Sequence, residues 1–115
     1  MTIKRHNPGR RLSQAVETDT MVHLAGIVAE NPVADAKEQT LQILAKIDSL
    51  LAACGSNKSK VLSAQIWVSN MAYYSAVNEA WDAWIDPANP PARACVESRL
   101  AAPQYMVEIM AVAAK

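Results

Sequence analysis

Pro90–Leu100 reads PPARACVESRL, and after the proline pair it alternates at period two, with Arg93, Cys95, Glu97 and Arg99 on one side and Ala94, Val96, Ser98 and Leu100 on the other. That is the pattern of a β-strand. A strand with a purely scaffolding role leaves its charges in water, whereas one that holds a guanidinium within reach of a small anion has a use for it. Working outward, a second strand-like run at Tyr105–Ala113 follows the turn Ala101-Ala102-Pro103, so two strands close the chain. Before the quoted stretch, Met71–Ile85 sets Tyr74, Val77, Trp81 and Trp84 on one helical stripe, and Pro87, Pro90 and Pro91 end it.

Further back, KVLSAQIWV (60–68) has strand character, and Asp35–Ala53 is a helix. It carries Leu44, Ile47, Leu51 and Cys54 inward, leaves Lys37, Glu38, Lys46 and Asp48 for solvent, and stops at Gly55. LSQAVET (12–18) and MVHLAGIVA (21–29) form a hairpin across Thr18-Asp19-Thr20, with Asn31-Pro32 ending the second run and room for one more strand at Ile3–His6. The order β-β-α-β-α-β-β predicts an α+β fold, a single mixed sheet with two helices on one face. On the other face the last strands offer Ala94, Val96, Val107, Ile109 and Val112, more apolar than water favours, so the expectation is homo-oligomerisation through that face.

The 115 residues make one domain, 1–115. Eleven basic and eleven acidic side chains cancel, which argues against nucleic acid or an anionic membrane as partner. Apolar runs are short and interrupted, and Lys4, Arg5, Arg10 and Arg11 are followed by no secretory h-region, so a soluble cytoplasmic protein is expected. Cys54 and Cys95 lie far apart, with no CxxC and only His6 and His23 as co-ligands, so neither a metal nor a disulfide is expected.

Arg93 and Glu108 are the leading candidates for chemistry. A guanidinium grips a carboxylate through two parallel bonds and a nearby carboxylate orients water, but the same two residues could be each other's salt-bridge partner. Cys95 has no histidine near it in sequence, as a thiolate nucleophile would want, and reads as a small wall residue. Tyr73, Tyr74, Trp81 and Trp84 read as helix–sheet packing rather than a base-stacking platform. Asn78 either caps a turn or reaches a ligand. His23 reads as a core or interface residue, and Glu97 with Arg99 as a solvated or interface pair. The lone glycine of LAGIV is too little for a phosphate loop.

PARACVESRL (91–100) followed by VEIMAVAA (107–114) resembles the C-terminal signature of the Rid (YjgF-type) family of reactive intermediate deaminases. LSQAV (12–16), LAGIV (24–28), QTLQILAKIDSLLAACG (39–55) and VNEAWDAW (77–84) match that family in order and approximate spacing. The resemblance implies a chorismate-mutase-like fold assembling as a trimer, with sheets packed into a central barrel and pockets at subunit interfaces. It assigns carboxylate binding to Arg93, with Cys95 beside it, water orientation to Glu108 and a pocket position to Asn78. Leu12 stands where the family places an aromatic residue, Ala25 where it has a small hydroxyl residue and Ile27 where glutamine is usual, which makes the expected pocket more apolar. The implied activity is hydrolytic deamination of 2-imino or enamine acids to a 2-oxo acid and ammonia, without cofactor or metal. The alternatives are a non-catalytic binder of small carboxylates and a structural or regulatory trimer acting through protein contacts.

Overall fold

Local sequence sets the helix ends in the computed structural model, which describes residues 1–115. Helix α1 (Ala36–Ala53) begins where the Asp35 carboxylate accepts from the Glu38 N–H at 2.8 Å, an N-cap that satisfies one orphan donor. It ends at Gly55, whose φ of 75° lets its N–H reach the Ala52 carbonyl while the Ser56 N–H reaches Leu51. Ile43, Leu44, Ile47, Leu51 and Cys54 are buried along its inner side. Helix α2 (Tyr74–Trp84) follows a 3₁₀ turn at Met71–Tyr73, and it buries Val77, Ala80 and Trp81.

The strands are β1 (Lys4–His6), β2 (Ala15–Glu17), β3 (Met21–Leu24), β4 (Val61–Val68), β5 (Ala92–Glu97) and β6 (Val107–Ala114). They form one sheet in the order β1-β2-β3-β6-β4-β5, antiparallel except for the β4–β5 pair. The sheet is therefore mixed and carries both helices on one face, as expected, with the extra N-terminal strand present. A parallel pair needs a crossover, and α2 supplies it between β4 and β5. The closing strands are not neighbours: β4 lies between β5 and β6. β5 stops at Glu97, short of the expected Leu100. No helix is long and apolar enough to cross a membrane.

Register divides the side chains cleanly. Ala64, Ile66 and Val68 of β4 stand beside Arg93, Cys95 and Glu97 of β5 and beside Ala111, Ile109 and Val107 of β6, on the face under the helices. Gln65 and Trp67 stand beside Ala94 and Val96 and beside Met110 and Glu108, on the open face. Val107 and Ile109 are fully buried in the core, so the expectation that placed them on the open face is corrected: they alternate with Glu108, Met110 and Val112. His23 pairs with Val112 and is exposed on that open face, not in the core, because Val22 and Leu24 take the inward positions.

Candidate functional site

β5 is an edge strand, and α2 lies alongside it, so Arg93 extends over the helix rather than into water. Its Nη2 donates to Asn78 Oδ1 at 2.8 Å and, more weakly, to the Tyr74 hydroxyl at 3.4 Å. The guanidinium carbon lies 5.2 Å from the Trp81 ring centre and 6.0 Å from that of Tyr74, within cation–π range. Tyr74, Asn78 and Trp81 are three and four residues apart, the spacing that sets them on one helical side. No carboxylate lies within 4.0 Å of Arg93. The site thus holds a half-buried cation with neutral partners on one terminal nitrogen and free N–H groups elsewhere.

Cys95 follows on the same face, half-buried and packed against the core. Burial pushes its thiol up from the ordinary range, and Arg93 pulls the other way without prevailing. Glu97, next on that face, accepts from the Met71 N–H at 3.0 Å and so holds the turn leading into α2. Glu97 and Arg99 are both exposed, as the solvated reading has them, but no ion pair joins them and β5 ends at Glu97.

Glu108 belongs to a different place. It is half-buried on the open face of β6 beside Trp67, and its carboxylate occupies the space where a Cβ on Gly26 would stand. The backbone of Ile27 pairs with Ile109 at 2.8 and 3.0 Å, which fixes Gly26 against Glu108. The Ala25 N–H donates to the Gln14 carbonyl at 2.9 Å, bringing the Leu12–Gln14 segment beside Ala25 and Gly26. Leu12 is 55% exposed and Ala25 is half-buried against the core. Ile27 is mostly buried in the core and also borders the hollow beside Gly26, where it adds an apolar residue.

Arg93 and Glu108 therefore project from opposite faces of the sheet with β4 between their strands, and the salt bridge between them is excluded within one chain. A hollow of about 360 Å³ bordered by Arg93, Gln65, Ala94, Met110 and Val112 shares no residue with the one of about 490 Å³ bordered by Gln14, Gly26 and Tyr105. The residues divide into two groups, Arg93, Asn78 and Cys95 in one and Glu108, Ala25 and Leu12 in the other. Tyr74 and Trp81, expected as helix–sheet packing, also flank the Arg93 guanidinium. Their spacing around Asn78 is the signal that marks them as walls of the Arg93 group.

The family described as endoribonuclease L-PSP matches residues 2–115. A RutC family protein of Haemophilus influenzae is 46% identical over 114 residues, covering 98% of this chain and 98% of that protein. The RutC family protein YoaB of Escherichia coli is 43% identical over 99% of both chains. A crystal structure of a YjgF family member from Neisseria meningitidis superposes with a TM-score of 0.96 at 45% identity, covering 100% of this chain and 96% of that one.

Proposed function

We propose a function for this chain, which belongs to the endoribonuclease L-PSP family, also called YjgF or Rid: it hydrolyses reactive 2-imino or enamine acids to a 2-oxo acid and ammonia. The observation that carries the proposal is the Arg93 guanidinium, half-buried, held by Asn78 and two aromatic rings, and without an acidic partner. A cation placed so, with N–H groups to spare, suits a small planar carboxylate. The family's description speaks of RNA cleavage, but eleven basic against eleven acidic side chains leave no net positive charge to draw a polyanion.

Arg93 binds the substrate carboxylate, and Asn78 holds the guanidinium in its plane. Glu108 accepts a proton from a water molecule aimed at the imine carbon. The water oxygen bonds to that carbon as the C=N pair moves to nitrogen, giving a carbinolamine. Glu108 passes its proton to nitrogen, the C–N bond breaks, and ammonia leaves as the carbonyl forms and the hydroxyl proton returns to Glu108. A protonated imine is electrophilic enough to need no electron sink. Because Arg93 and Glu108 lie on opposite faces, one pocket combines Arg93, Asn78 and Cys95 of one subunit with Glu108, Ala25 and Leu12 of another. A homotrimer joined through the open faces supplies that juxtaposition three times over. The apolar Leu12 and Ala25 favour substrates with hydrocarbon side chains, each buried methylene contributing about 0.8 kcal/mol. The same two residues favour a second reading, a binder of small carboxylates that does no chemistry.

The test compares Glu108→Gln and Arg93→Ala with the parent, using ammonia release from imines generated in situ beside calorimetric titration with 2-oxo acids. Glu108→Gln lowers kcat about 10²–10⁴-fold and leaves 2-oxo acid affinity within a few-fold, whereas Arg93→Ala weakens binding first. An unchanged rate in Glu108→Gln rejects its catalytic role. Saturable 2-oxo acid binding with no turnover in the parent establishes the binder instead.

A further inference from the structure

Glu17 is the one charged residue among the buried residues of the chain, 8% exposed on the covered face of β2. A carboxylate so placed is costly unless charge and hydrogen bonds answer it. Its Oε1 meets His6 Nε2 of β1 at 2.8 Å, and its Oε2 meets Lys115 Nζ at 2.6 Å. Cys54, 2% exposed at the end of α1, completes the group: the imidazole nitrogen, a carboxylate oxygen and the thiol sulfur all lie within 4.8 Å of one another.

We propose that His6, Glu17 and Cys54 form a binding site for a zinc ion, at the edge of the sheet opposite β5. The donor set is one nitrogen, one sulfur and one oxygen, which suits zinc and ill suits calcium or magnesium. Ligand atoms around a tetrahedral zinc ion stand roughly 3.2–3.8 Å apart, so the His6–Glu17 contact opens by about half an ångström and the wider separations close by about one. On binding, the proton between His6 and Glu17 moves to Nδ1 of the imidazole, the Cys54 thiol proton leaves to solvent, and water takes the fourth position. Lys115 keeps the other Glu17 oxygen and holds the carboxylate in orientation. A shallow hollow of about 140 Å³ bordered by Lys4, Glu17, Thr18, Asp19 and Lys115 lies on the Lys115 side of Glu17. Bound there, it ties β1 and β2 to the end of α1. Linear spacing conceals the group, because His6, Glu17 and Cys54 come from three separate elements.

The experiment titrates the metal-free, reduced full chain with zinc by calorimetry in buffers of different ionisation enthalpy, and with cobalt(II) by absorption. The expected result is one ion per chain with one proton released, a thiolate-to-cobalt charge-transfer band, and a raised Tm with zinc. Cys54→Ser removes the band and Cys95→Ser keeps it. His6→Gln retains an amide donor for Glu17, so it preserves the fold while weakening zinc by at least about 100-fold. If the parent binds zinc no better than His6→Gln, or if the cobalt band survives Cys54→Ser, the cluster is only a hydrogen-bonded network and the proposal falls. None of these readouts depends on imine turnover.

Discussion

Arg93 shows what a few neighbours do to one side chain. An arginine on an edge strand ordinarily turns into water, but Asn78 fixes one nitrogen and the Trp81 and Tyr74 rings cover the guanidinium face. The same environment acts on Cys95 in the opposite sense: burial favours the neutral thiol more strongly than Arg93 favours the thiolate. Below its raised pKa the group stays protonated, so Cys95 reacts with iodoacetamide at neutral pH more slowly than a free thiol and gains rate only as the pH rises well into the alkaline range. Cys95→Ala is expected to keep imine turnover within a few-fold of the parent while Arg93→Ala does not. Gly26 matters for the space it leaves, because a methyl there would displace the Glu108 carboxylate. Since that carboxylate ends a flexible side chain, Gly26→Ala is expected to fold with a near-parental Tm. Its kcat falls on the order of 10²-fold, with 2-oxo acid affinity measured by calorimetry retained.

At the scale of elements, α1 does more than cover the sheet. Gln39, fully buried in its first turns, donates to the carbonyls of Pro32, Ala34 and Gln104 and accepts from the Met106 N–H at 3.0 Å. It thereby ties the start of the helix to the residue before β6, two positions from Glu108. Replacing it with an apolar side chain leaves four part-buried backbone groups without their partner, each worth about 1–3 kcal/mol where water does not replace it. Gln39→Leu is therefore expected to lower the urea midpoint by the equivalent of about 3 kcal/mol or more, at unchanged m-value. A loss below about 1 kcal/mol would show that water replaces the amide at little cost.

For the whole molecule, the open face is the feature a lone subunit leaves unexplained. Val96 and Met110 are exposed there, and Val16, Trp67 and Val112 are half-buried, so one side of the sheet lacks the cover that the helices give the other. Association through this face would cover it and bring the Glu108 group of one copy near the Arg93 group of the next. Val112→Asp places a charge in the middle of that face without touching the helix-side core. The expected outcome is a folded monomer by light scattering and circular dichroism, inactive on imines, beside a trimeric parent. A parent that scatters as a monomer at micromolar concentration ends both the trimer and the shared pocket.

The sequence by itself determined the helix ends, through Asp35 and Gly55, the number and order of the strands, and the residues of the family motif. These are local signals: a cap, a left-handed glycine, an alternation, a run of residue types. Only the tertiary structure decided that β5 lies beside β4 rather than β6, that Glu108 faces away from Arg93 against Gly26, and that His6, Glu17 and Cys54 meet. Alternation fixes the phase of side chains within one strand, and on that ground Val107 and Ile109 cannot share a face with Val112, which is why the expectation that grouped them on the open face fails. It carries no information about which strand pairs with which, because pairing is settled by the burial of distant apolar residues together. Ile66, Ile109 and Leu44 share one core only once the chain has closed on itself.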